Sequence, residues 1–257
     1  MNIKDKVALI SGGASGLGLA AAKYLANEKG ARVALLDLNE ATGREAVADI
    51  GDLAMYLHAD VTSEQAVQQA VSAVVARFGT IHVNINCAGI VAPAKVLDRE
   101  GKASSLANFT RTVMVNLVGL FNVMGQCVEQ MTKNDPEGGE ERGVVINISS
   151  ISGTDGQIGQ CAYSATKAGV VGLQLPAARE LVDHGIRINA IAPGLFLTPM
   201  ASQLDPKALD RLESQVESPR RMGKLEEFAH CCAFIIENGY MNAETIRLDG
   251  ATRLRAR

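Results

Sequence analysis

Seven short, mostly apolar runs, separated by segments of helical period, constrain this sequence more than any other feature. They occupy residues 7–10, 32–36, 53–58, 81–85, 144–148, 187–191 and 245–248. Strands without polar alternation have both faces buried, the condition of a parallel sheet covered by helices on either side. Helical spacing runs through residues 24–29, 63–78, 106–131 and 161–183, with Ser63 in an N-cap position. The expected fold is a single doubly wound α/β domain over residues 1–257, built on a seven-stranded parallel sheet. Pro176 lies inside the last of those helices, where it removes a donor and presses on the carbonyl four residues back. That residue is Gly172, which relieves crowding, so a bent but continuous helix is expected. The glycine-rich, charged stretch 135–143 reads as a surface excursion.

Length and charge narrow the partners. A chain of 257 residues is long enough for one such domain with a large buried sheet. Its net charge of −3 supplies no field to draw nucleic acid or an anionic membrane, so neither partner is expected. No apolar run approaches the ~18 residues of a membrane span. Five cysteines without a C-x-x-C fit free thiols in a reducing compartment better than a disulfide framework. The histidines are scattered, and no metal site is expected. The first residues run straight into a strand, and a cytoplasmic location is expected.

In a doubly wound sheet, ligands bind beyond the carboxyl ends of the strands. Gly12, Asp37, Asp60, Asn86, Ser150 and Pro193 all fall at such ends. The run Ser11-Gly-Gly-Ala-Ser-Gly-Leu-Gly18 follows the first strand and opens a helix. Its Gly12, Gly16 and Gly18 permit a tight turn and close approach of a pyrophosphate to the helix N-terminus. Asp37, after the second strand, suits both ribose hydroxyls of NAD and repels the extra phosphate of NADP. Asp60, beside Val61, is read equally as facing an adenine amino group or as a turn or capping residue. Asn86-Cys87-Ala88-Gly89 leaves the fourth strand with small residues, where a ligand can pass close to backbone. Pro193 starts a rigid turn toward Thr198, whose hydroxyl is within reach of a nicotinamide carboxamide.

The chemistry is carried by Tyr163 and Lys167, four residues apart and so on one helical face, with Ser150 thirteen residues upstream of the tyrosine. A free phenol titrates near ~10, and a cation held beside it lowers that value. The pair reads as a tuned acid/base, and Ser150 as a hydroxyl that holds a carbonyl oxygen. Asn116, by its chemistry alone, reads as a polar residue on a solvated helix face.

Jointly these motifs, with Val-Asn-Leu-Val-Gly around Asn116 and Ala-Pro-Gly-Leu-Phe, resemble the short-chain dehydrogenase/reductase family over nearly the whole chain. The resemblance implies a Rossmann-type fold. Ala-Asp-Val-Thr-Ser-Glu, Gly-Gln-Ile-Gly-Gln and Ile-Arg-Leu-Asp-Gly-Ala are similar to stretches of the type II 3-hydroxyacyl-CoA dehydrogenases within that family. The family commonly has threonine at the position of Ser11 and a second asparagine at that of Cys87. The resemblance implies that Ser15, Leu17, Asp37, Asp60, Val61, Cys87, Tyr163, Lys167, Phe196 and Thr198 line an NAD site. Gly12, Gly16, Gly18, Ala88, Gly89 and Pro193 belong to the same motifs. It also implies a catalytic tetrad of Asn116, Ser150, Tyr163 and Lys167, with Ser150 and Tyr163 meeting the substrate and Asn116 anchoring a water beside the lysine. Its offset from Tyr163 selects Ser150 over Ser149, Ser152 and Ser164.

The implied substrate is a 3-hydroxyacyl-CoA or its 3-keto partner, and the implied assembly a homotetramer packed through the long helices and the last strand. Residues 91–108 and 195–217 are expected to shape the substrate cleft, with Leu195, Phe196, Leu197, Met200 and Leu204 offering apolar surface. Lys95, Arg99 and Lys102 are placed to meet CoA phosphates or, more simply, are solvated. Ala165, Ala168, Val171 and Leu175 serve either a subunit interface or the sheet. Two alternatives stand: another secondary alcohol as substrate (a 3-oxoacyl-carrier-protein, steroid or sugar), and a catalytically idle dinucleotide-binding regulator.

Overall fold

The computed structural model describes residues 1–198 and 205–256. Seven strands form one parallel sheet: β1 (Val7–Ser11), β2 (Arg32–Asp37), β3 (Ala54–His58), β4 (Val83–Asn86), β5 (Gly143–Ile148), β6 (Ile186–Pro193) and β7 (Thr245–Leu248). Their order is β3-β2-β1-β4-β5-β6-β7, so the chain reverses its direction of travel between β1 and β4. That reversal opens a crevice at the carboxyl ends of the two strands, where doubly wound sheets take their ligands. The central strands β1, β4, β5 and β6 are buried along their whole length, which explains their unbroken apolar character.

Helices α1 (Gly16–Lys23), α2 (Glu40–Ile50), α3 (Glu64–Phe78), α4 (Leu106–Val113), α5 (Leu120–Met131), α6 (Cys161–Leu181), α7 (Pro206–Glu213) and α8 (Leu225–Glu237) join the strands. Two separate cores result. One holds Leu25, Leu35, Ile85, Ile146 and Phe228, and the other Leu9, Leu36, Val71, Val123 and Ile188. Ser63 caps α3, its Oγ accepting from the Ala66 amide at 3.2 Å. Helix α6 is continuous through Pro176, as the placement of Gly172 led one to expect.

Three readings need amendment. The segment 106–131 is one long rod, but Met114–Gly119 within it is a π-helical turn joining α4 to α5. Its 26 residues include an 18-residue window of mean hydropathy 1.2, so it is also long and apolar enough to cross a membrane. Here its inner face, from Asn116 through Val123, Met124 and Cys127 to Met131, is buried in the fold. Finally, the stretch 135–143 is more than an excursion. Glu137 accepts from the Asn2 amide and pairs with Lys6, while Glu141 accepts from the Met1 ammonium and from Arg187 of β6.

Candidate active site

The carboxyl ends of β1 to β4 enclose a cleft of about 650 Å³. Its base is the loop from β1 into α1. Gly12 has φ +65°, and a Cβ there would stand 2.7 Å from the Ala88 amide nitrogen, so only glycine fits. A Cβ on Gly18 would run into the Gly12 carbonyl oxygen. Ser15, Gly16, Leu17 and Gly18 line the cleft at the start of α1, where backbone N–H groups have no intrahelical partner. Ser11, buried beneath, accepts from the Ala88 amide and donates to Asn86 Oδ1, both at 3.4 Å. Its hydroxyl thus ties β1 to β4 at the reversal without the methyl of a threonine.

Asp37 closes one side. Its Oδ2 accepts from the Ala14 amide at 3.1 Å and its Oδ1 from the Asn39 amide at 3.2 Å, which fixes the carboxylate at the rim of the glycine loop. Asp60 and Val61 form the next wall. One oxygen of Asp60 holds its own turn, accepting from the Thr62 amide and hydroxyl at 2.9 and 2.8 Å. Val61 packs on the π-helical turn, where a Cβ on Gly119 would come within 2.6 Å of it. Cys87, Ala88, Gly89 and Thr198 also line the cleft. Burial pushes the Cys87 thiol up to about 12, although nearby Lys167 pulls it down, so it is no nucleophile at neutral pH.

Tyr163 and Lys167 stand one turn apart on α6, with Nζ 5.7 Å from the centre of the phenol ring. Ser150, just after β5, has its hydroxyl close enough to act on the phenol. Lys167 is buried and donates to the Ile148 carbonyl at 2.7 Å. Removal from water pushes its pKa down to about 8, with Cys87 acting weakly the other way. The same desolvation raises the Tyr163 phenol, and the Ser150 hydroxyl pulls it back. The sequence leads one to expect that a neighbouring cation lowers the phenol, whereas its net shift here is upward. In this structure burial wins, and the hydroxyl is the group that opposes it.

The neighbouring serines have other tasks. Ser149 donates to the Lys167 carbonyl at 2.7 Å, and Ser152 offers its amide to Ser150 Oγ at 3.1 Å. Ser164 packs against Gly156. Asn116 is fully buried rather than solvated. Its Oδ1 accepts from the Ile90 amide at 2.8 Å, and its Nδ2 donates to the Ile90 carbonyl at 2.9 Å. The carboxamide therefore braces the segment after β4, and a water beside Lys167 would have to be held by other atoms of this turn. Gly89 lies between the two: a Cβ there would be 3.3 Å from Asn116 Oδ1 and 3.7 Å from Lys167 Nζ.

Phe196 and Pro193 are placed differently from the other expected cofactor residues. The Phe196 ring is buried edge-on to Phe228, 6.2 Å between centres, and does not line the cleft. Pro193 ends β6 and is buried. Leu197 is exposed, Met200 and Leu204 lie outside the described residues, and Lys95, Arg99 and Lys102 stand in solvent on the loop before α4. Arg111, Met114 and Val115 were not anticipated, yet all three line the cleft. Their spacing of three and four residues places them on one helical face, a signal that the sequence carries.

Comparison with known proteins agrees with this geometry. The family model for short chain dehydrogenases matches residues 6–209. The chain is 46% identical to 3-hydroxyacyl-CoA dehydrogenase type-2 of Bos taurus, over 98% of this chain and 97% of that protein. Its identity to the Homo sapiens protein of the same name is 45%, with the same coverage. The crystal structure of 3-hydroxyacyl-CoA dehydrogenase type-2 from Mycobacterium avium superposes with a TM-score of 0.94 at 36% identity, covering 98% of both chains. A cleft at the strand reversal, a tyrosine and lysine one turn apart beside it, and similarity along the whole chain lead to one assignment: this enzyme belongs to the short-chain dehydrogenase/reductase family of oxidoreductases.

Proposed function

We propose that the protein interconverts a 3-hydroxyacyl-CoA and a 3-ketoacyl-CoA with NAD as hydride carrier. The observation that carries this reading is the Ser150–Tyr163–Lys167 cluster set beside a dinucleotide-shaped cleft whose rim bears Asp37. The residues present fit NAD. The glycine loop has no room for side chains at Gly12 and Gly18, and the Asp37 carboxylate is braced where a ribose would meet it and a 2′-phosphate would be repelled. Gly12, Gly16 and Gly18 would cradle the pyrophosphate, Val61 and Asp60 the adenine, and Cys87, Ala88, Gly89, Pro193, Phe196 (through its backbone) and Thr198 the nicotinamide end. When bound, the nicotinamide supplies hydride chemistry at the substrate carbon.

The chain's own residues handle the proton. Tyr163 holds it on the phenol oxygen at neutral pH and gives it to the carbonyl oxygen in reduction; in oxidation the phenol first loses that proton, and the phenolate then takes the one on the substrate hydroxyl. Ser150 hydrogen-bonds the same substrate oxygen as charge develops there. Lys167, with a pKa of about 8, is itself able to exchange a proton near neutral pH and would resupply the phenol. Asn116 keeps the segment after β4 in place beside it. The names of the full-length relatives support the acyl-CoA substrate.

A homotetramer is proposed with it. Ala165, Ala168, Val171 and Leu175 of α6 all face outward, while Val170, Gln174 and Ala178 face the sheet.

The test is reduction of acetoacetyl-CoA, followed as NADH loss, in wild type and Tyr163→Phe. Turnover by wild type, with a fall of at least about 100-fold in the variant and unchanged NADH binding, is the expected result. Activity only on a steroid, a sugar or an acyl-carrier-protein substrate would replace the acyl-CoA assignment. No turnover of any carbonyl would favour an idle binding protein.

A further inference from the structure

We infer that Arg247 is a positioning residue that sets the spacing of Ser150 and Tyr163 by clamping the linker between them to the segment after β7. The inference rests on the role proposed for those two hydroxyls. They come from different elements, the end of β5 and the first turn of α6, joined by residues 151–160. Only the first part of that linker, the 3₁₀ turn Ile151–Gly153, is regular structure. Gly153, Gly156 and Gly159 make it intrinsically permissive, and Gly159 adopts φ +88°. An error of about 1 Å between reacting groups costs on the order of 100-fold in rate, so something must hold this linker.

Arg247 is the group that does so. From β7 its Nη1 donates to Thr154 Oγ1 at 2.6 Å and its Nη2 to Asp155 Oδ2 at 2.8 Å. The rest of the guanidinium is taken by the segment after β7: Nε donates to Asp249 Oδ2 at 3.0 Å and Nη2 to the Thr252 carbonyl at 3.2 Å. The grip continues along the linker. Gln157 Nε2 donates to the Arg255 carbonyl at 3.0 Å, and the Ile158 amide to the Ala256 carbonyl at 3.1 Å. Asp249 in turn packs on the turn after β6, since a Cβ on Gly194 would lie 2.7 Å from its Cα. A planar fork engaging several acceptors in fixed directions is a task that lysine cannot copy. None of these residues lines the cofactor cleft.

The experiment compares wild type with Arg247→Ala, Arg247→Lys and Asp155→Asn. It uses whichever carbonyl substrate the wild type reduces, and three readouts: kcat, the NADH dissociation constant, and amide hydrogen exchange. The expected result for Arg247→Ala is a fall in kcat of at least about tenfold and faster exchange confined to residues 151–160, with NADH binding unchanged. Arg247→Lys should recover little of the loss, and Asp155→Asn should show a smaller effect of the same kind. Unchanged kcat with unchanged exchange would overturn the clamp. So would a loss of NADH binding in step with kcat in every variant, which marks general destabilisation. Because exchange needs no substrate, it judges the clamp even if wild type fails to reduce any acyl-CoA, a result that counts against the proposed function alone.

Discussion

The Lys167 ammonium is one of the few buried charges among the described residues, and it donates to a carbonyl oxygen, that of Ile148. Such a group costs stability while it stays charged. Its pKa of about 8, against 10.5 for an exposed lysine, corresponds to roughly 3 kcal/mol. Below both values the amine is protonated in the folded and the unfolded chain, and the penalty is fully present. Between about 8 and 10.5 the folded amine has lost a proton that the unfolded chain still holds, so stability rises with pH. Lys167→Met should therefore be more stable than wild type by about 2 kcal/mol at neutral pH, after allowing about 1 kcal/mol for the lost hydrogen bond. The advantage should shrink as pH climbs through that window. Urea denaturation of the two proteins across the pH range measures it; a difference independent of pH would mean that the amine has the same pKa in the folded and the unfolded chain. The same residue shows what sequence can and cannot disclose. Its helical register with Tyr163 is legible at once, but the direction in which burial moves both pKa values depends on tertiary enclosure, which no local spacing reveals.

Among the elements, the loop between β1 and α1 is the least forgiving. Gly12 combines a left-handed backbone with a contact that leaves no room for a methyl group. Gly12→Ala should lose about 1–3 kcal/mol of stability and weaken NADH binding at least about tenfold, as the loop shifts away from Ala88. Chemical denaturation and fluorescence titration of NADH report the two effects; retention of wild-type affinity would show that the loop adjusts without moving its amide groups. Much of the elements' layout could be read from the sequence, because buried parallel strands are continuous apolar runs bounded by glycine and aspartate. The π-helical turn at Met114–Gly119 could not. It has the composition of ordinary helix, and only packing of Gly119 on Val61 and of Asn116 on Ile90 distinguishes it. Phe196 likewise carries a motif position, yet tertiary packing takes its ring into the core.

For the molecule as a whole, α4, α5, the π-helical turn between them and α6 present Leu106, Phe109, Val118, Phe121, Val171 and Leu175 to the outside. So many large apolar groups on neighbouring helices exceed what a solitary protein usually exposes. Phe121→Glu combined with Leu175→Glu should convert a tetramer into smaller species, detectable by light scattering, while the fold and the cleft persist. An unchanged assembly would place the subunit contacts elsewhere.

All the chemistry described stands beyond the carboxyl ends of a parallel sheet, which leaves the opposite rim idle. There the chain turns at Gly51 and Gly79, where an added Cβ would meet nothing within 4 Å. Both glycines, at φ +85° and +88°, are kept; exposed Asp52 and Ala76 beside them are accordingly the places at which a fluorophore, an affinity handle or a surface tether can be attached with the least disturbance to the reacting groups.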